Sequence, residues 1–96
     1  MKIGILPKAE EDLEHAFDHY ESQRVGLGKV LIEEFRRAVD QIREHPRAWQ
    51  AMDETYRRCR LHRFPYGIVY RIETDPEEII IVSMMHLSQR PGAWRG

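Results

Sequence analysis

The spacing of the apolar residues changes halfway along the chain, and this change limits the folds that it can adopt. Apolar side chains recur every three or four residues from residue 7 to about 23 and again from 27 to about 45, which predicts two amphipathic helices. After His45-Pro46 the pattern becomes that of strands, over residues 56–62, 68–74 and 78–85. Proline disfavours helical geometry in the preceding residue, so the second helix is expected to end there.

Short segments at the borders of these elements complete the predicted order. Residues 2–6 are predicted to form a strand that ends at Pro7, which suits the first position of a helix. Two glycines within residues 24–28 separate the helices and predict a hairpin. The order is therefore β-α-α-β-β-β. The chain is predicted to be a single α+β domain over residues 1–96, with the helix hairpin packed on a small antiparallel sheet.

The size and composition of the chain narrow its function class. With 96 residues, of which 42% are hydrophobic, it has a modest core and hardly room for a deep cofactor pocket, so no cofactor is predicted. It lacks a run of about 18 apolar residues and a signal-peptide core, which predicts a cytoplasmic protein without a membrane partner. The single Cys59 cannot form an internal disulfide, and it falls on the apolar side of its strand. A buried thiol is expected there.

The formal net charge is only −1, but the charges are unevenly distributed. Residues 10–21 contain six acidic residues and no basic one, whereas residues 55–72 contain five arginines and no acidic residue. Within the second stretch, Arg58 and Arg60 alternate with Cys59 and Leu61, so the two arginines should project from one sheet face about 6 to 7 Å apart. Such a pair suits the phosphates of a nucleic acid or the carboxylates of a protein equally well.

Other charged groups have simpler interpretations. His15 and His19 stand four residues apart on the first helix, but no third ligand is evident, so no metal site is predicted. The acidic residues of the second helix have arginines three or four positions away, which favours surface ion pairs; these acids are Glu33, Glu34 and Asp40.

The end of the last strand is a second candidate site. His86 could act as a general acid or base, and Arg90 could bind a phosphate. Trp94 has two interpretations, since it could close the edge of the core or stack on a nucleobase.

Four motifs, in this order and spacing, resemble the RelE/ParE toxins of bacterial type II toxin–antitoxin systems. They are Ala9-x-x-x-Leu13, Glu44-His45-Pro46, the run RFPYGIVYR that begins at Arg63, and His86-x-x-x-Arg90-Pro91-x-x-Trp94. The resemblance implies a RelE/ParE-like fold and a growth-inhibiting toxin, of the kind associated with plasmid stabilisation. It also implies a cognate antitoxin as partner, with operator DNA bound only through that antitoxin.

The resemblance implies two alternative targets. RelE-type members cut messenger RNA on the ribosome with a cluster of basic residues, whereas ParE-type members are associated with inhibition of DNA gyrase. Arg60 falls near the position of a catalytic lysine in the ribonucleases, Arg58 near a second basic position and Arg90 near the late catalytic arginine. A ribonuclease of this sequence would therefore use Arg60 and Arg90, with His86, on ribosome-bound mRNA.

Two departures favour the ParE-like alternative. Gly67 stands where the ribonucleases carry an arginine, and their late tyrosine has no equivalent unless Trp94 replaces it. Arg60 is also a poor general base, because the pKa of a guanidinium lies above 12. We therefore expect a ParE-like toxin acting on gyrase or another protein, with a ribonuclease and a non-toxic antitoxin-binding module as alternatives. Residues expected to bind the antitoxin or target are Arg58, Arg60, Arg63, Trp94 and Arg95.

Overall fold

The computed structural model describes residues 1–89 and contains a five-stranded sheet and two helices. Along the chain, both helices come between the first and the second strand. The strands are β1 (Lys2–Ile5), β2 (Gln50–Ala51), β3 (Tyr56–Arg60), β4 (Tyr66–Glu73) and β5 (Glu78–His86), and the helices are α1 (Pro7–Gln23) and α2 (Leu27–Glu44). The strand order is β1-β5-β4-β3-β2. The α+β class and the predicted order of elements are confirmed, and the short β2 adds an edge strand within the predicted loop.

The first strand differs from the prediction of a wholly antiparallel sheet. β1 pairs in parallel with β5, from Lys2 opposite Glu78 to Ile5 opposite Ile81, while the other neighbouring strands pair antiparallel. A parallel pair needs a long crossover connection, and here the rest of the fold supplies it. The sheet is therefore mixed.

The core lies between the helix hairpin and the sheet. Ala9 and Ala16 of α1 are buried, and α2 contributes a buried stripe with helical spacing formed by Leu31, Phe35, Ala38 and Ile42. The sheet contributes fully buried residues from its two central strands: Ile68, Tyr70, Ile79 and Ile81. No helix in the described part of the chain is long and apolar enough to cross a membrane.

The turn between the helices is held by a carboxylate. Glu21 accepts hydrogen bonds from the backbone N–H groups of Gly26 and Gly28, both at 3.0 Å, which satisfies donors that the first turn of α2 leaves free. Gly26 has a φ of +91°, a conformation that favours glycine. A Cβ on Gly28 would lie 2.7 Å from the ring of Phe17, so the helices approach closely only because this residue is glycine.

The loop after α2 is fixed from the sheet. The buried Tyr70 hydroxyl donates to the carbonyl of Pro46 at 2.6 Å, and the Arg57 guanidinium donates to the carbonyl of Trp49 at 2.8 Å. Burial raises the pKa of Tyr70 to about 12. These bonds determine where the chain enters β2 and hence where the edge of the sheet lies.

Candidate functional site

The register of β3 assigns Arg58 and Arg60 to the sheet face away from the helices, as the alternation predicts. They are not equivalent, because Arg60 is the last residue of the strand and also borders α2. The Arg58 guanidinium donates to Gln50 Oε1 at 3.1 Å. Its stem covers Gly67, where a Cβ would lie 2.8 Å from Arg58 Cγ and Cδ. Arg60 is exposed, and its side chain has no ion pair or hydrogen bond with a described residue. Of the predicted pair, Arg60 is therefore the side chain available to a ligand.

His86 lies on the opposite face of the sheet from Arg60. It is the register partner of Tyr66, and the two rings are in edge-on contact with centroids 5.1 Å apart. Tyr66 in turn contacts Tyr20 of α1, which places this pair on the helix side. By contrast, Arg60 is opposite Gly67, and Gly67 is opposite Met85. The structure does not bring the two candidate catalytic groups together.

The His86 ring is held in one tautomer by the turn that follows β5. Its Nδ1 accepts the backbone N–H of Ser88 at 3.1 Å, and a backbone N–H can only donate. In the neutral ring the proton must therefore be on Nε2. Gln89 completes the turn, because its side-chain oxygen accepts the backbone N–H of His86 at 2.9 Å.

A depression of about 230 Å³ separates His86 from α1, with Asp12 and His15 among its lining residues. Sequence reasoning missed Asp12. Its carboxylate accepts hydrogen bonds from Ser83 Oγ at 2.9 Å and from the backbone N–H of Met84 at 3.0 Å, tying α1 to β5. Asp12 lies three residues after the buried Ala9, and this spacing could have indicated that it faces the sheet. Within residues 1–89 no group of three or more His, Cys, Asp or Glu side chains could hold a metal ion.

Glu34 is buried rather than paired on the helix surface, so the prediction for this residue was wrong. Its side chain is only 8% exposed, and Oε1 accepts the backbone N–H groups of His62 and Arg63 at 3.1 and 3.0 Å. Arg63 Nε lies 3.6 Å from Oε2. The turn after β3 provides the donors that a buried carboxylate requires. Asp40 does form the predicted surface pair, with Arg43 at 3.4 Å.

A cluster of exposed basic side chains surrounds Glu34, and we call it the basic edge. Arg60 and His62 line a narrow crevice together with Arg37 of α2, and Glu34 forms part of the same crevice. Arg63 adjoins it through its contact with Glu34 and is 68% exposed. The basic edge therefore consists of Arg37, Arg60, His62 and Arg63.

An apolar groove runs over the helix hairpin. Two depressions of about 330 and 300 Å³ share Leu13 and Ile32 as lining residues. Glu10 and Glu14 flank the first depression, and Arg36 flanks the second. We call this surface the hairpin groove; its apolar residues are Ile5, Leu13, Phe17, Ile32, Phe35 and Val39.

The remaining candidates fall into two groups. Cys59 is buried as predicted, and burial raises the pKa of its thiol to about 11, so it is unsuited to act as a nucleophile. Arg90, Trp94 and Arg95 lie outside the described residues, and their predicted roles stay predictions.

In the described part of the chain, the fold and these surfaces define a small α+β domain that offers a groove and a charged edge. The chain belongs to the ParE toxin family: residues 3–91 match the family described as the ParE toxin of the type II toxin–antitoxin system parDE. The fold is similar to that of a solved chain of the chromosomal ParDE toxin–antitoxin system from P. aeruginosa. That similarity has a TM-score of 0.66 at 19% identity and covers 92% of this chain and 97% of the other. No curated protein sequence matches significantly.

Proposed function

We propose that this type II toxin inhibits growth by binding DNA gyrase and that a cognate antitoxin neutralises it. Family membership supports the toxin class. The observation that favours a protein target over RNA cleavage is the separation of Arg60 and His86 on opposite faces of the sheet.

Chemical requirements explain why this separation matters. Cleavage of RNA by its own 2′-hydroxyl needs a base, a cation on the phosphate and an acid, all held around one phosphodiester. Arg60 can stabilise charge but cannot accept a proton near neutral pH. His86 could transfer a proton, but it faces the helix side of the sheet. Gly67 stands where the ribonucleases carry an arginine, and here the stem of Arg58 occupies the space that a side chain at this position would need.

The hairpin groove is the proposed antitoxin site. Its apolar lining, with Leu13 and Ile32 at the centre, suits the apolar face of a partner helix or extended segment. Glu10 and Glu14 at one end would pair with basic residues of that segment, and Arg36 at the other end would pair with acidic residues. This arrangement would give the antitoxin a preferred direction along the groove.

A supercoiling assay tests the target. Purified toxin at micromolar concentration is expected to inhibit gyrase, and the antitoxin should restore supercoiling. Relaxation by topoisomerase I is the control for effects on the DNA alone. Brief induction of the toxin is expected to arrest growth, and mapping of RNA 5′ ends at the same time is expected to show no new ends.

Other results would contradict the proposal. New ends phased to codons, with unaffected gyrase, would identify a ribosome-dependent nuclease and direct attention to Arg60, Arg90 and His86. Absence of growth arrest would identify a non-toxic antitoxin-binding module.

A further inference from the structure

We infer that the basic edge, formed by Arg37, Arg60, His62 and Arg63, is the surface through which the toxin binds an acidic segment of its protein target. This inference rests on the proposed function, because it names the surface that would contact the target.

The backbone that carries the basic edge is fixed from both sides. The Glu34 carboxylate accepts hydrogen bonds from the backbone N–H groups of His62 and Arg63 at 3.1 and 3.0 Å. On the sheet side, the Leu61 N–H donates to the Tyr66 carbonyl at 2.9 Å. The next residue in the turn, Phe64, is buried with its ring centroid 4.9 Å from that of Tyr20. Binding residues held on a fixed backbone lose less conformational entropy when a partner arrives.

The guanidinium groups of Arg37 and Arg60 are available, unlike those of most arginines outside the basic edge in the described residues. Arg43, Arg47 and Arg71 form ion pairs, with Asp40, Glu77 and Glu73 respectively. Arg57 donates to main-chain carbonyls and Arg58 to Gln50. Arg37 and Arg60 have no ion pair or hydrogen bond with any described residue, and both are exposed. Their forked donors match the two oxygens of a carboxylate.

Glu34 does not cancel this positive charge. Its carboxylate is buried beneath the edge, and its closest cation is Arg63 at 3.6 Å. Oε2 has no hydrogen bond in the structure. One buried negative charge thus lies under three exposed arginines, and the surface that a partner meets is positive.

The surroundings favour carboxylates of a protein over the phosphates of a nucleic acid. The acidic residues of α1 would repel a long polyanion, and the net charge of the chain is −1. The Tyr20 ring contacts the rings of Phe64 and Tyr66, and Phe64 is buried, so these three rings offer no base-stacking platform. A short acidic segment of a protein, unlike a long polyanion, can contact the basic edge without approaching the acidic residues of α1.

The test uses two double variants with the same change of charge. Arg37→Glu/Arg60→Glu reverses the edge, whereas Arg24→Glu/Lys29→Glu changes exposed residues at the hairpin turn and serves as the control. The affinity of each variant for purified gyrase is measured from about 50 to about 300 mM salt. At the same salt concentration, the edge variant is expected to bind about tenfold or more weakly than wild type. The control should stay within about twofold of wild type. A short poly-glutamate peptide should compete with gyrase for the wild type and should not bind the edge variant.

Each contradicting result has a distinct interpretation. If wild type inhibits gyrase and the edge variant inhibits it equally, the inference is wrong. If wild type leaves gyrase unaffected, the proposed function fails, and the inference fails with it unless the peptide still distinguishes wild type from the edge variant. If a DNA oligonucleotide binds through the edge and the peptide does not, the ligand is a nucleic acid and the inference is overturned. Should the edge variant melt early, Arg37→Gln/Arg60→Gln provides the same comparison with milder changes.

Discussion

The Arg58 side chain packs directly over Gly67 on the sheet face away from the helices. A Cβ at position 67 would lie 2.8 Å from Arg58 Cγ and Cδ, closer than van der Waals contact allows. The Arg58 head is anchored to Gln50 at 3.1 Å, so the stem cannot move away without breaking that bond. The residues at positions 58 and 67 are therefore energetically coupled.

Gly67→Ala is expected to lower the free energy of unfolding by about 1 to 3 kcal/mol, because it overpacks the space under Arg58. In an Arg58→Ala background the same change should cost less than about 1 kcal/mol. Urea denaturation of the four proteins of this double-mutant cycle measures the coupling. Equal costs in both backgrounds would show that Arg58 does not restrict position 67.

Alkaline pH should destabilise the fold through two buried groups. Burial raises the pKa of Cys59 from 9.0 to about 11 and that of Tyr70 from 10.0 to about 12. Both groups ionise more readily in the unfolded chain, so their contribution to stability is complete below pH 9 and lost as pH rises through 11 and 12. The loss should approach about 1.4 kcal/mol per pH unit for each group.

Thermal melts of wild type, Cys59→Ala and Tyr70→Phe between pH 8 and 11 test this expectation. Each variant lacks one of the two ionisations and should show a shallower decline than wild type. A decline of identical slope in all three proteins would assign the alkaline effect to other groups.

Glu34 and Asp12 mark the limit of sequence reasoning at the residue scale. Both belong to stretches rich in charge, and neighbouring arginines made a surface ion pair the natural interpretation for Glu34. Its real partners are the backbone N–H groups of residues 62 and 63, which every residue type except proline would supply. A residue's spacing along its own helix can indicate which face it shares, as for Asp12, but it does not identify the distant backbone groups that it binds.

The helix hairpin shows what can be predicted at the scale of elements. Both helices begin at the predicted residues, Pro7 and Leu27, because proline, the paired glycines and the apolar spacing are all local signals. The local pattern also predicts β1 as a strand, but its parallel pairing with β5 depends on a segment more than seventy residues away. Local patterns specify the type of an element and not its neighbour.

Removal of the carboxylate that holds the hairpin turn should weaken the hairpin. Glu21→Ala deletes the acceptor for the N–H groups of Gly26 and Gly28 and is expected to cost about 1 to 2 kcal/mol, as the loss of a helix cap does. Glu11→Ala, at an exposed position of the same helix, is the matched control and should stay within about 0.5 kcal/mol of wild type. Chemical denaturation gives both values, and equal effects would refute the capping role.

The two candidate binding surfaces use different sides of α2. The hairpin groove includes Ile32 and Arg36, whereas the basic edge includes Arg37, the next residue along the helix. Consecutive residues of an α-helix point about 100° apart, so one helix can serve two partners. Antitoxin binding and target binding should therefore be separable by mutation.

Ile32→Asp places a charge in the centre of the hairpin groove and should weaken antitoxin binding about tenfold or more. Val25→Asp introduces the same charge at the hairpin tip, where the side chain is 91% exposed, and should leave that affinity unchanged. Calorimetric titration with the antitoxin compares the variants, with thermal melts to verify folding. Unchanged affinity for Ile32→Asp would exclude the groove as the antitoxin site.

The pairing of β1 with β5 also affects how the toxin is made. Among the described residues, β1 is an edge strand whose neighbour is β5, and β5 is also the antiparallel partner of β4. During translation, β1 cannot pair with β5 until β5 has been synthesised. Contacts between segments so distant in the sequence form slowly. A nascent chain interrupted before residue 78 would lack a central strand. The folded toxin can therefore form only after β5, residues Glu78–His86, has been synthesised and has left the ribosome.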